Sequence, residues 1–201
     1  MGNRIVKSKK PRPASAVVLA GGDSLRMGRD KALLPVAGRP LIETIVRQLR
    51  TRFDDILVSA RRADDYRFLG FEIVPDAEPG QGPLRGIASA LLRTKHDLAF
   101  VTACDIPRID LEFVERLIGL AEGCEVVLPF RPPDLYEPLF AVYRRSVVGP
   151  AEEILAAGKR SLLELLDKVR VRRVEIPDGL SFENINTRAD YRKLVGGPFS
   201  L

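Results

Sequence analysis

The chain has 201 residues, 45% of them hydrophobic, which suits one globular domain large enough to bury a core. Its net charge of +5 lies wholly in residues 1–13, where Arg4, Lys7, Lys9, Lys10 and Arg12 meet no acid, so residues 14–201 sum to zero; a nucleic-acid-binding domain is basic through its fold, and this pattern argues against that class. No apolar run approaches the roughly 20 residues of a membrane span and the polar start has no signal-peptide core, so the expectation is a cytoplasmic protein with no membrane partner.

Residues 1–13, with Pro11 and Pro13 among the cations, read as a disordered basic tail, and 14–201 as a single domain. Ala16-Val17-Val18-Leu19 reads as a short buried strand. Ile42, Ile45, Val46 and Leu49 then repeat at one helical face. A strand over 56–58, a polar helix around 64–68 and a strand over 71–74 follow. The loop 75–83 leads to a helix over 84–93 and a strand over 98–102. Asp110 reads as the N-cap of a helix whose face is Phe113, Val114, Leu117, Ile118 and Ala121, with a strand over 125–128 after it. In the last third, 136–143 alternates weakly as an antiparallel strand, and Ser161-Leu162-Leu163-Glu164 reads as a capping box. Residues 171–176 suit a sheet edge, and Thr187-Arg188-Ala189-Asp190 opens a terminal helix. The alternation predicts an α/β fold of three layers, a mostly parallel, Rossmann-like sheet with helices on both faces. Such sheets bind ligands at the carboxyl ends of their strands, and the loops 20–31, 75–86 and 102–107 leave strands there.

The first loop is the most informative: Leu19-Ala20-Gly21-Gly22-Asp23-Ser24-Leu25-Arg26-Met27-Gly28-Arg29-Asp30-Lys31. Glycines let the backbone approach a ligand and leave N–H groups to face anionic oxygens. Arg26 adds a fork of donors and Lys31 a point charge. Neither a P-loop nor a dinucleotide fingerprint fits, because Gly28 is followed by Arg29-Asp30-Lys31 and Gly21-Gly22-Asp23 breaks the G-x-G spacing. The stretch reads as a phosphate loop; the plainer alternative is a strand-to-helix turn with two solvated cations. In the second loop, prolines stiffen a Gly-rich run that opens a helix, a frame suited to the edge of a flat heterocycle. Asp76 there fits an acceptor for base or ribose, or a turn residue. In the third, Thr102-Ala103-Cys104-Asp105-Ile106-Pro107, an Asp ends a strand apolar on both faces. Such a charge is costly unless paired or metal-bound. Alone it fits a metal ligand or a helix cap; beside a phosphate loop it reads as a ligand for Mg²⁺, which favours carboxylate, phosphate and water oxygens. The lone His96 sits in the turn Lys95-His96-Asp97, and Cys104 and Cys124 form no C-x-x-C. Zinc sites, disulfide frameworks and His-dependent nucleophilic catalysis are therefore poorly supported.

Together Leu19-Ala20-Gly21-Gly22, Arg26-Met27-Gly28, Asp30-Lys31, Gly82-Pro83-Leu84-Arg85-Gly86 and Cys104-Asp105-Ile106-Pro107 resemble the molybdenum cofactor guanylyltransferases, MobA-type enzymes of the nucleotide-diphospho-sugar transferase-like fold. The likeness covers roughly residues 15–195 in order, and Pro138-Leu139-Phe140-Ala141-Val142-Tyr143 and Phe182-Glu183-Asn184-Ile185-Asn186-Thr187 share it. The resemblance implies transfer of GMP from Mg·GTP to the terminal phosphate of molybdenum-bound molybdopterin, with pyrophosphate as the other product. By matched position, Leu19, Ala20, Gly21, Gly22, Gly82, Pro83, Leu84 and Gly86 would hold guanosine, and Lys31 the phosphates. Asp76 would sit in the GTP site, Asp105 would bind Mg²⁺, Arg26 and Lys31 would add charge, and Asn184 and Asn186 would face the pterin. Ser59 stands where family members often carry a nucleotide-binding Asn, with a shorter reach and fewer donors. Transient contact with molybdopterin-delivering proteins and apo-molybdoenzymes is also implied.

Two rival readings stay open. One is another nucleotidyltransferase on the same fold, cytidylyl for the same pterin or acting on a sugar phosphate. The cytidylyl enzymes look different at the first loop, with Leu-Ala-Ala-Gly in place of Leu19-Ala20-Gly21-Gly22. The other is a non-catalytic nucleotide-binding module that delivers cofactor, for which Arg26, Lys31 and Asp105 would be unneeded.

Overall fold

The structure, a computed structural model, describes residues 12–20, 30–75 and 81–196. Among these residues eight strands form one sheet, in the order β10 (Val171–Glu175), β7 (Val126–Arg131), β9 (Phe140–Arg144), β6 (Leu98–Ala103), β1 (Ser15–Leu19), β4 (Ile56–Ala60) and β5 (Glu72–Pro75), with β8 (Leu135–Tyr136) paired to β7. β1 (Ser15–Leu19) lies at its heart, parallel to β4 (Ile56–Ala60) on one side and to β6 (Leu98–Ala103) on the other. β5 (Glu72–Pro75) extends the parallel run beyond β4. β2 (Pro35–Val36) and β3 (Arg39–Pro40) make a separate small hairpin. On the far side β9 (Phe140–Arg144) is antiparallel to both β6 and β7 (Val126–Arg131), and β10 (Val171–Glu175) closes the edge parallel to β7. The sheet is thus mostly parallel, as the alternation of elements predicts.

Successive residues of a strand face opposite sides, and the core divides accordingly. Val18 and Phe100 point to one face with α1 (Leu41–Leu49) and α3 (Leu111–Gly119). Val17 and Val101 point to the other, with α2 (Gly82–Leu91), α4 (Val148–Ala156) and α5 (Leu162–Lys168). The apolar stripe read from Ile42, Ile45, Val46 and Leu49 is fully buried. Asp110 caps α3 by accepting from the Phe113 amide at 2.8 Å. On the first face Phe140 packs edge-on to Phe100, with ring centres 4.8 Å apart. Phe182 stacks on Phe140 at 4.2 Å, which seats the segment before α6 (Arg188–Gly196) on the core.

Two local expectations resolve differently. Residues 136–143 are not one strand: β8 (Leu135–Tyr136) pairs with β7, Pro138 has no N–H to continue a ladder, and a turn intervenes before β9. Ser161 stands at the N-cap of α5 but its side chain makes no cap bond, and Glu164 reaches Lys159 at 3.0 Å instead. The reciprocal box forms at α6, where Thr187 and Asp190 exchange bonds of 2.8 and 3.1 Å. Arg12, within the expected tail, is placed by an ion pair to Glu122 and by a bond from Arg52 to its carbonyl.

The Arg-rich edge strand β10 is entered through Arg170, whose backbone and guanidinium donate to Glu125. These bonds hold the Glu125 carboxyl down at about 2, below the ordinary 4.5. A depressed folded pKa stabilises the fold above the unfolded value, and the gain fades as pH falls through the folded one. The melting-temperature difference between wild type and Glu125→Gln, present at neutral pH, should therefore close between about pH 4.5 and about 2. A difference that persists unchanged at the acid end would remove this bond as its source.

Candidate active site

The register of the sheet brings the strand ends that precede the expected loops to one edge. Leu19 lies opposite Ser59 on β4 and opposite Ala103 on β6, so the three strands end within one residue of one another. The main chain is then stitched beyond them. The Ala20 amide donates to the Ser59 carbonyl at 2.7 Å, and the Cys104 amide to the Leu19 carbonyl at 3.0 Å. Because β9 runs the opposite way, its start reaches the same edge, and the Ala103 amide donates to the Leu139 carbonyl at 3.0 Å.

Lys31, Asp105 and Asn186 converge there. Lys31 opens a 3-10 turn, Lys31–Leu33, and its Nζ donates to Asn186 Oδ1 at 3.3 Å. The Ile185 amide donates to the Asp105 carbonyl at 2.9 Å, so the two chain segments are tied at the backbone as well. Asp105 is half-buried. Burial pushes its carboxyl up, and the Lys31 charge pulls it back down. Burial likewise pushes the neighbouring Cys104 thiol up to about 12, which leaves it a packed thiol rather than a nucleophile. Among the described residues no group of three or more His, Cys, Asp or Glu side chains could enclose a metal ion. The half-buried Asp105 carboxylate beside Lys31 has the hard-oxygen donor chemistry that a divalent cation such as Mg²⁺ takes.

Gly82 starts α2 in the left-handed region, φ +71°, a conformation glycine adopts without strain, and Pro83 follows in the first turn. Both are exposed, whereas Leu84 and Gly86 are buried in the α2 face. Arg85 braces this end: its Nε donates to Gln81 at 2.8 Å and its Nη1 to Glu152 of α4 at 2.6 Å. Ser59 is 2% exposed at the end of β4. Asn184 faces an open cleft it shares with Arg108, Asp190 and Lys193. Gly21, Gly22, Arg26 and Asp76 lie outside the described residues, as does the tail before Arg12.

Two residues escape the sequence reading. Glu137, half-buried before the Pro138-Leu139 turn, is pushed up mainly by burial, and the Asp105 charge adds to this while Arg131 opposes it. Its signal was an acid directly ahead of a recognised motif. Tyr66, 1% exposed, donates to Asp30 Oδ2 at 2.5 Å, while the other Asp30 oxygen accepts from the Ala32 amide at 3.0 Å. A tyrosine amid the charged run 61–67 was the only sign of it.

The chain is similar to known proteins along most of its length. A family model described as MobA-like NTP transferase domain matches residues 16–172. A probable molybdenum cofactor guanylyltransferase of Carboxydothermus hydrogenoformans is 36% identical over 189 residues, 90% of this chain and 94% of the relative. A molybdenum cofactor guanylyltransferase of Pseudomonas putida is 37% identical over 166 residues, 81% and 87% of the two chains. The solved structure of molybdopterin-guanine dinucleotide biosynthesis protein A from Archaeoglobus fulgidus superposes with TM-score 0.78 at 27% identity, covering 90% of this chain and 97% of that one. A 2-C-methyl-D-erythritol 4-phosphate cytidylyltransferase from Thermus thermophilus, TM-score 0.69 at 16% identity, covers 90% of this chain and 96% of its own, and shows the shared fold alone.

The Asp190 carboxylate accepts from the Asn186 and Thr187 amides at 3.1 and 2.8 Å and so fastens the segment that meets Lys31. Asp190→Ala should speed hydrogen exchange at those two amides by about tenfold while leaving the sheet amides unchanged. Unchanged exchange at Asn186 and Thr187 would show that the segment is held by other contacts.

Proposed function

The chain belongs to the MobA-like NTP transferases and is a nucleotidyltransferase, and we propose that it transfers GMP from GTP to the terminal phosphate of molybdenum-bound molybdopterin. The relatives named as molybdenum cofactor guanylyltransferases, matched over most of both chains, support this reading. The observation that carries it is the meeting of Lys31, Asp105 and Asn186 at the ends of β1, β4 and β6.

In the proposed reaction a phosphate oxygen of the acceptor attacks the α-phosphorus of GTP. The bond to the α–β bridging oxygen breaks, and pyrophosphate leaves with its electron pair. The nucleophile is already an anion, so no strong base is required, and the task is to hold anions in line and offset their charge. In this reading Lys31 and Arg26 bind phosphate oxygens. Leu19, Ala20, Gly21 and Gly22 with Gly82, Pro83, Leu84 and Gly86 frame guanosine, and Asp76 and Ser59 complete the nucleotide site. Asn184 and Asn186 face the pterin. The family's chemistry needs a divalent cation; Asp105 would hold it as Mg²⁺, and the bound ion would offset triphosphate charge. Among the described residues no helix is long and apolar enough to cross a membrane. A cytoplasmic location, and transient contact with molybdopterin-delivering proteins and apo-molybdoenzymes, complete the proposal.

The assay is pyrophosphate release with molybdenum-loaded molybdopterin and GTP, CTP or ATP. GTP should be preferred by at least about tenfold in kcat/KM, about 1.4 kcal/mol. Equal use of CTP would return the cytidylyl reading, and binding of GTP without turnover would return the delivery module. Asp105→Asn keeps size and removes charge, so turnover should fall at least about a hundredfold, about 2.7 kcal/mol of barrier. The metal-free variant should melt no lower than wild type, because a half-buried charge has gone. Retention of more than about half the rate would take Asp105 out of the site.

A further inference from the structure

We propose that Tyr66 is a positioning residue for the phosphate end of the site: its hydroxyl holds the Asp30 carboxylate and thereby keeps Lys31 aimed at the triphosphate. This rests on the reading above that Lys31 binds phosphate.

Tyr66 lies in the 3-10 turn Ala63–Leu69 that follows β4. Around it Arg62 pairs with Asp65 and Arg67 with Asp64, all part of the solvated side of the turn. Packing alone at the buried position requires only a ring. The oxygen lies 2.5 Å from Asp30 Oδ2 and 3.4 Å from the Ala20 carbonyl. A phenol has one proton, and the nearer, charged acceptor takes it. Burial, reinforced by Asp30, raises the Tyr66 pKa far above the phenol range, so the proton stays.

The consequence falls on the next residue. One Asp30 oxygen accepts from the Ala32 amide and the other from Tyr66, so both oxygens of the carboxylate are engaged. The Lys31 ammonium instead meets Asn186 Oδ1, a neutral acceptor, at 3.3 Å. An anionic phosphate outcompetes a neutral amide for an ammonium group, whereas it would have to displace a carboxylate at much greater cost. Tyr66 therefore keeps a cation available by occupying the nearest anion in sequence. Its oxygen also sits within reach of both ends of the glycine-rich loop, Ala20 before it and Asp30 after it.

Tyr66→Phe keeps the ring and removes the oxygen. Calorimetric titration of GTP and of guanosine into wild type, Y66F, K31A and the double variant isolates the link, because residues acting through one contact do not lose affinity additively. Y66F should weaken GTP about tenfold, leave guanosine within about twofold, and add nothing in the K31A background. The proposal is overturned if Y66F binds GTP within about twofold of wild type, if guanosine weakens equally, or if the two losses add. The variant Y66F/D30N removes the competing anion together with the hydroxyl, so it should bind GTP within about twofold of wild type; it carries the test if Y66F does not fold, and a tenfold loss in it overturns the proposal. Should K31A alone bind GTP as wild type does, the reading of Lys31 falls and this proposal with it, a pattern distinct from the others.

Discussion

Everything at this site depends on how the central strand ends. All six residues of β6 are buried, between β1 on one side and β9 on the other, and two residues later the chain presents the Asp105 carboxylate. A charge at the end of so apolar a strand is tolerable only where the backbone around it is already satisfied. Here the Ala103 amide is taken by Leu139, the Cys104 amide by Leu19 and the Asp105 carbonyl by Ile185. The fold spends its main-chain hydrogen bonds on holding the peptide rigid, and the carboxyl group itself meets the Lys31 charge.

In the proposed reading, the two ends of a nucleotide around that carboxylate are served by different parts of the molecule. The α2 side is built from backbone and apolar surface, braced by the Arg85–Glu152 pair between helices. The Lys31 side is built from charge, set by a short turn and by a segment near the other end of the chain. The brace between α2 and α4 and the Tyr66 hydroxyl beside Asp30 are separate devices, so the two ends can be adjusted independently.

The parts of this arrangement visible in the sequence were those governed by local periodicity and by strand ends. Alternating apolar runs place β1, β4 and β6 and the helices between them, and a ligand edge follows from parallel pairing. What local pattern cannot carry is the meeting of residues distant along the chain. Nothing near Lys31 announces Asn186, 155 positions away, and nothing near Tyr66 announces Asp30. The antiparallel insertion of β9, which carries Glu137 and Leu139 to the ligand edge, is likewise a matter of topology. Capping motifs show the same limit on a smaller scale. Ser161 and Glu164 have the spacing of a box, yet Lys159 competes for the acid, while Thr187 and Asp190 have the same spacing and form it.

The contact of Lys31 with Asn186, and that of Tyr191 with the Pro35 carbonyl at a separation of 156 residues, give the protein a history as well as a shape. Contacts of so long a range repay their loop-closure entropy only once the sheet between them has formed. The meeting of Lys31 with Asn186 is therefore among the last steps of folding rather than a seed for it, and it reports that the fold is complete.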